Sequence, residues 1–310
     1  MTYAVVLGEA LIDLLETELH GERVFRQAVG GAPLNVATGV ARLGEQVEFL
    51  GSVGSDAFAD RIVDFLAGAG VRVGGVVRVA VPTTLGVASF RGAEPEFTFY
   101  GEPPSYSLIR PTDLDPGLVT DARVFYCGSI FLLRESGLLT ARQAWAQTAG
   151  LRVFDPNVRP TLLPDGAALI ELRDVVEEFV ASAHLAKVSA ADAEVLYGTG
   201  PEDAADRFLA LGAGAVVVTR GAKGALVACG RDRVTLAAPQ VNAVDATGAG
   251  DSVMGALIAG LLRDGLPYDV EGWAERTVYA LRVAGLVCES PGGAVSMPTR
   301  EQVAARFAGA

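Results

Sequence analysis

One short run has the residue types and spacing to do chemistry on a phosphate. It is Asp245-Ala246-Thr247-Gly248-Ala249-Gly250-Asp251, followed at once by the apolar stretch Ser252 to Leu262. Small residues let the backbone turn tightly and let a ligand approach it closely. If the apolar stretch is a helix, its first N–H groups point out of its end and its dipole favours an anion there. A carboxylate in that place is not the anion being held; it stands beside it. Asp251 is then positioned to take a proton from a nucleophile attacking a phosphate. A Gly-rich turn with Asp251 as an ordinary first-turn acid is the other reading, and spacing alone leaves both open. A second run, Gly30-Gly31-Ala32-Pro33-Leu34-Asn35, also sets glycines ahead of a helical pattern. A polar ligand could rest on its backbone N–H groups, or Asn35 could simply cap the helix. Other chemistries lack their signatures. There is no GxxxxGK[ST], no GxSxG and no HExxH, and Gly8-Glu9-Ala10 stands where a dinucleotide fold needs GxGxxG.

Both runs need elements to position them. Short apolar runs alternate with helical stretches, the pattern of βα units around a mostly parallel sheet. Strands are expected at Ala4 to Leu7, Val47 to Leu50, Val124 to Cys127, Arg152 to Phe154, Leu185 to Val188 and Ala215 to Val218. Helices are expected at Asn35 to Leu43 with Gly44 ending it, and at Asp56 to Leu66 with Ser55 as N-cap. Further helices fit Leu138 to Thr148, Ala204 to Leu211, Gly248 to Leu262 and Glu271 to Val287. Leu14 to Val29 and Thr84 to Glu102 break the rhythm with period-two alternation. They read either as one small sheet built from two insertions or as two hairpins on the core edge.

Composition narrows the class. The chain has 310 residues, 50% hydrophobic, enough for a large core. Its net charge is -12, which argues against a nucleic-acid binder or a partner for an anionic membrane. No apolar run reaches membrane-spanning length, and the opening residues do not read as a signal peptide. Cys127, Cys229 and Cys288 form no CxxC pair, and the two histidines cannot build a His-rich zinc site. A reducing, cytoplasmic setting is expected.

Taken together, the two runs resemble the paired signatures of the ribokinase-like (PfkB) carbohydrate kinases. Gly30, Gly31, Pro33, Asn35, Ala37, Gly44 and Gly54 match the first; Asp245 to Asp251 with Gly255 and Ala256 match the second. Within that family the chain is similar to bacterial fructokinases. The matching blocks are Gly8 to Leu15, Gly128-Ser129-Ile130 with Leu132, Phe154 to Pro160, Lys187-Val188-Ser189, Thr219 to Gly224 and Pro291 to Ala294.

The resemblance implies a single domain with a three-layer α/β/α core (1–13, 30–83 and 107–310) and a β-sheet lid (about 14–29 and 84–106). It implies an ATP-dependent kinase acting on a small sugar, fructose, with 2-keto-3-deoxygluconate, ribose or a nucleoside as alternatives. A non-catalytic sensor would have no need of Asp251. Asp251 becomes the catalytic base, and Gly248, Ala249 and Gly250 the anion hole. Asp13, Gly30, Gly31, Asn35 and Arg159 become acceptor contacts, although Arg159 could be a surface loop residue. Thr219, Gly221 and Gly224 become nucleotide contacts. Lys187 and Lys223, the only lysines, are candidate phosphate binders, with a solvated strand end as the other reading of each. Asp245 and Thr247 become a monovalent-cation loop, for K+. Mg2+ would accompany ATP, and the lid would join a homodimer. Three features depart from the family pattern: Ser189-Ala190-Ala191-Asp192 in place of Asn-x-x-Glu, Glu102-Pro103-Pro104-Ser105-Tyr106 in place of a crossing with Ala-Asp, and Ser252 in place of Phe.

Overall fold

The computed structural model describes residues 2–91 and 94–308. In chain order the strands are β1 (Ala4–Leu7), β2 (Leu11–Leu19), β3 (Glu22–Gly30), β4 (Val47–Val53), β5 (Arg72–Arg78), β6 (Leu85–Arg91), β7 (Glu94–Tyr100), β8 (Val124–Gly128), β9 (Leu151–Asp155), β10 (Leu185–Ser189), β11 (Ala215–Thr219), β12 (Ala225–Cys229) and β13 (Asp232–Leu236). They form a 9-stranded sheet, β13-β12-β11-β10-β9-β8-β1-β4-β5, and a 4-stranded sheet, β3-β2-β6-β7. The large sheet is parallel from β5 across to β11, with β12 and β13 antiparallel at one edge.

Strands covered on both faces read as unbroken apolar runs, because neither side chain row meets water. In β1, Ala4 and Val6 pack into one core while Val5 and Leu7 pack into the other. Helices Ala32–Arg42, Ala57–Gly68, Ala249–Asp264 and Val270–Cys288 cover the first face. Helices Glu135–Gln147, Gly166–Val180 and Pro201–Leu211 cover the second. This is the expected three-layer α/β/α core. β1 lies between β8 and β4, so the strand order reverses there and opens a crevice at the strands' carboxyl ends.

The two alternating segments pair with each other in a sheet of their own, which excludes two separate hairpins on the core edge. β2 runs parallel to β6, with Asp13 opposite Gly86, and each is antiparallel to its own hairpin partner. This sheet begins at Leu11 rather than at residue 14, so Asp13 and Gly30 are part of it.

Several local expectations are corrected. Ser55 does not cap the second helix; Asp56 does, accepting from the N–H groups of Phe58 and Ala59. The reason is tertiary: Asp56 also accepts from the Thr83 N–H and hydroxyl, at 2.7 and 2.6 Å, while Ser55 donates to Val79. Asn35 is not a cap. The helix starts at Ala32 behind Gly31, and Pro33 fits its first turn. The helix expected from Leu138 starts at Glu135. Strand β12, the edge strands β5 and β13, and the helices Gly166–Val180 and Ala190–Tyr197 are additions to the expected pattern.

Candidate active site

The crevice gathers polar side chains that the strands carry just past their buried runs. At its centre is Asp251, in the first turn of helix Ala249–Asp264 and 7% exposed. Asn35 Nδ2 donates to one carboxylate oxygen at 2.7 Å, and Asn157 Nδ2 donates to the other at 3.1 Å. Burial pushes the Asp251 carboxyl up, against the opposing pull of Asn35, Arg159, Lys187 and Asn157. Each oxygen keeps a lone pair for a further donor.

The turn before Asp251 requires glycine at one position. Gly248 has φ +78°, and a Cβ there would lie 2.8 Å from the Gly293 Cα. The Ser252 N–H closes the first helical bond onto the Gly248 carbonyl at 2.8 Å. The Ala249 N–H is engaged by the Ala246 carbonyl at 3.1 Å, so it is not part of an open anion hole. The N–H groups of Gly250 and Asp251 are the ones that helix geometry leaves facing outward. Asp245 accepts from the Thr247 N–H and hydroxyl and from the Gly292 N–H, which fastens the turn to the 291–294 loop. Partial burial raises its carboxyl, but these bonds hold it below the usual range.

Lys187 is not a solvated strand end. It is 3% exposed and ion-paired at 2.8 Å with Asp155, itself fully buried. Burial disfavours its charge, but Asp155, Asp192 and Asp251 outweigh that and raise its pKa. A Cβ at Gly250 would lie 3.5 Å from its Nζ, so the ammonium sits beside the helix N-terminus. Lys223 lies on an exposed turn. Thr219 ends β11 in register with Ser189, and Gly221 and Gly224 take the positive φ of the turn that follows.

On the acceptor side, the Asp13 carboxylate lies between two glycines of the small sheet. A Cβ on Gly30 would fall 2.1 Å from one oxygen, and one on Gly86 would fall 2.6 Å from the other. Burial pushes Asp13 up to about 6, opposed by Arg159. Gly31 has φ +117°, and a Cβ there would meet the Glu9 carbonyl at 2.5 Å. Arg159 is exposed and donates to Asn157 Oδ1 and the Val158 carbonyl. Its charge bears on Glu9, Asp13 and Asp251 together.

Three residues carry no expected role, and Asp192 was expected only as a departure from the family pattern. Glu9 and Asp155 are buried carboxylates at strand ends; Asn157 touches Asp251; Asp192 accepts from the Val158 N–H and, in a capping box, from the Ser189 N–H and hydroxyl. Their signal was available: a polar residue immediately past an apolar strand run faces the crevice of such a sheet. The crossing that departs from the family pattern is structural at Ser105, which bonds Thr84 and Ser52. Tyr106 packs on Leu11 and Ile130.

Residues 1–300 match the pfkB family carbohydrate kinase pattern. The chain is 34% identical over 311 residues to "Probable fructokinase-5" of Arabidopsis thaliana, covering 95% of this chain and 94% of that protein. It is 32% identical over 311 residues to "Fructokinase-1" of Oryza sativa subsp. japonica, covering 96% and 95%. A fructokinase from Xylella fastidiosa with bound ATP superposes with a TM-score of 0.89 at 28% identity, covering 98% and 97%. An aminoimidazole riboside kinase from Salmonella enterica does so with 0.87 at 26%, covering 98% and 99%. With the signature turn, the glycine-flanked Asp13 and a match along nearly its whole length, the chain belongs to the pfkB family of carbohydrate kinases.

Proposed function

We propose that this kinase transfers the γ-phosphoryl group of ATP to a primary hydroxyl of fructose, with Asp251 as the base. The observation that carries the reading is the buried Asp251 carboxylate at a helix N-terminus, fixed on both oxygens by Asn35 and Asn157. The acceptor hydroxyl gives its proton to Asp251. Its oxygen forms the new bond to phosphorus as the bond to the ADP oxygen breaks. The outward N–H groups of Gly250 and Asp251, with Lys187 beside them, stabilise charge on the transferring group. Asp13, beside Gly30 and Gly86, accepts hydroxyls of the sugar, and Arg159 offsets the gathered negative charge.

Among the described residues no three His, Cys, Asp or Glu side chains gather into a metal cage. A Mg2+ would be carried on the nucleotide phosphates with most of its waters. Bound there, it neutralises phosphate charge. The ionised Asp245 beside Thr247 is our candidate for a K+ loop. No described helix is long and apolar enough to cross a membrane. The free cysteines are consistent with a reducing, cytoplasmic setting. Exposed Phe25 and Tyr100, on the face of the small sheet opposite Asp13, are our candidates for a homodimer surface.

A riboside is the second reading. Tyr106, Leu132, Leu133 and Leu162 line an apolar cleft of about 650 Å³ that has room for an aglycone. The test is ATP-dependent phosphorylation of fructose, other hexoses, ribose, 2-keto-3-deoxygluconate and ribosides, with and without K+. We expect fructose turnover, lowered about 10²–10⁴-fold in Asp251→Asn with fructose binding retained. Turnover of a riboside in preference to fructose moves the specificity. Equal turnover in Asp251→Asn overturns its assignment as the base.

A further inference from the structure

Glu9 has no part in the phosphoryl-transfer step above, yet it is among the most deeply buried carboxylates of the chain, 1% exposed. It follows β1 at the floor of the crevice, where the strand order reverses. Its Oε1 accepts from the Ala32 N–H at 3.2 Å, at the start of the helix that carries Asn35. Its Oε2 accepts from the Phe131 N–H at 3.3 Å, on the turn after β8, and the Ser129 hydroxyl also bonds it. Ser129 holds φ +67°, a conformation that costs a residue with a Cβ and persists only where surrounding contacts fix it. The backbone on either side of Glu9 is equally committed. The Gly8 Cα faces Pro33, and the Glu9 carbonyl fills the space that a Gly31 Cβ would need.

We propose that Glu9 is a positioning residue for the acceptor sugar: its carboxylate locks the Gly30-Gly31-Ala32 turn to the Ser129–Phe131 turn and so sets the acceptor wall against Asp251. The inference rests on the sugar-kinase reading of the site and adds to it a residue that touches neither the sugar nor the phosphate. The geometry has a direct chemical consequence. Every polar contact of the carboxylate is a donor: the N–H groups of Ala32, Phe131 and Glu9 itself, and the Ser129 hydroxyl. An ionised carboxylate offers four lone pairs to these four donors and a protonated one offers three, so at least one donor bond is lost.

That protonation falls in a usable range. Burial pushes Glu9 up to about 7, opposed by Ser129, the backbone N–H groups and Arg159. The groups facing it are Arg159 from the loop after β9, Tyr106 from the crossing after β7, and Tyr126 on β8. Of these only Arg159 is charged near neutrality, and it favours the ionised form. As the pH falls through about 7, the wall loosens and the acceptor binds less well, with ATP binding unaffected.

The experiment measures KM for fructose, KM for ATP and kcat against pH in wild type, Glu9→Gln and Ser129→Ala. In Glu9→Gln the amide nitrogen faces a donor, so the fructose KM rises about tenfold at alkaline pH, the order expected for one buried unsatisfied group. Its ATP KM stays within about twofold, because the triphosphate meets other elements, and its fructose KM loses the limb near 7 and keeps only the lower one from Asp13, near 6. Ser129→Ala removes one donor to the ionised form and so moves the wild-type limb to higher pH. Asp251 titrates in kcat, which separates its limb from that of Glu9. Wild type that phosphorylates no sugar on the panel overturns the function itself. Active wild type with an unchanged fructose KM and pH limb in folded Glu9→Gln overturns the role of Glu9 alone. If Glu9→Gln does not fold, an unmoved limb in Ser129→Ala overturns it.

Discussion

At the scale of single residues, the site is organised by burial of charge. Lys187 and Asp155 show why. Removing two ions from water is costly, and they stay buried only because each compensates the other. Asp155 has a second task, since its Oδ1 accepts the Asn157 N–H at 3.2 Å and Asn157 reaches Asp251. Asn157 adopts φ +38°, so its reach depends on that anchor. Lys187→Met leaves the Asp155 charge alone in the core. We expect a loss of about 3–5 kcal/mol in urea unfolding. The double change Lys187→Met with Asp155→Asn should recover part of it, because the amide carries no charge and its carbonyl still accepts from Asn157. A Lys187→Met protein as stable as wild type would show that the pair is not buried as described. Lys187 was legible in the sequence only as a rare lysine in a family block; its partner lies 32 residues away and on another strand.

At the scale of elements, the signature turn works because of two glycines with different reasons. Gly248 is held at φ +78° against Gly293, so any Cβ is both strained and crowded. Gly250 has an ordinary conformation, and a Cβ there would make a normal contact with Lys187. Gly248→Ala should therefore lower unfolding stability by about 1–2 kcal/mol from the left-handed conformation alone, with more from the contact. It should also lower kcat, because the N–H groups of Gly250 and Asp251 turn with it. Gly250→Ala should cost little stability. Equal stability losses in thermal unfolding would contradict this difference. The second helix teaches the opposite lesson about local signals. Ser55 and Asp56 are both good caps by type, and only Thr83, brought in from the 80–84 crossing, selects Asp56.

At the scale of the whole molecule, the two insertions become one sheet standing over the crevice, and its register sets exposed Phe25 and Tyr100 on the face opposite Asp13. Exposed aromatic side chains on one face mark an interaction surface. If that face joins two copies, Phe25→Asp should convert a dimer into a monomer in sedimentation while leaving the core fold intact. A wild-type monomer at the same concentration would rule the surface out.

The sequence by itself determined the layered core, because an apolar run of four or five residues flanked by amphipathic stretches has few other ways to exclude water. It also determined the signature turn, since glycine spacing ahead of a helix is a local property of the backbone. Helix starts were off by a few residues where no side-chain cap marks the boundary, as at Glu135 and Ala32. The tertiary structure alone decided that Asn35 and Asn157 meet on Asp251, across 216 and 94 residues of chain. It alone placed Lys187 in a buried pair and made Glu9 a tie between two turns. These are contacts between strand ends. Their partners are chosen by strand order and register, which no single stretch of sequence encodes.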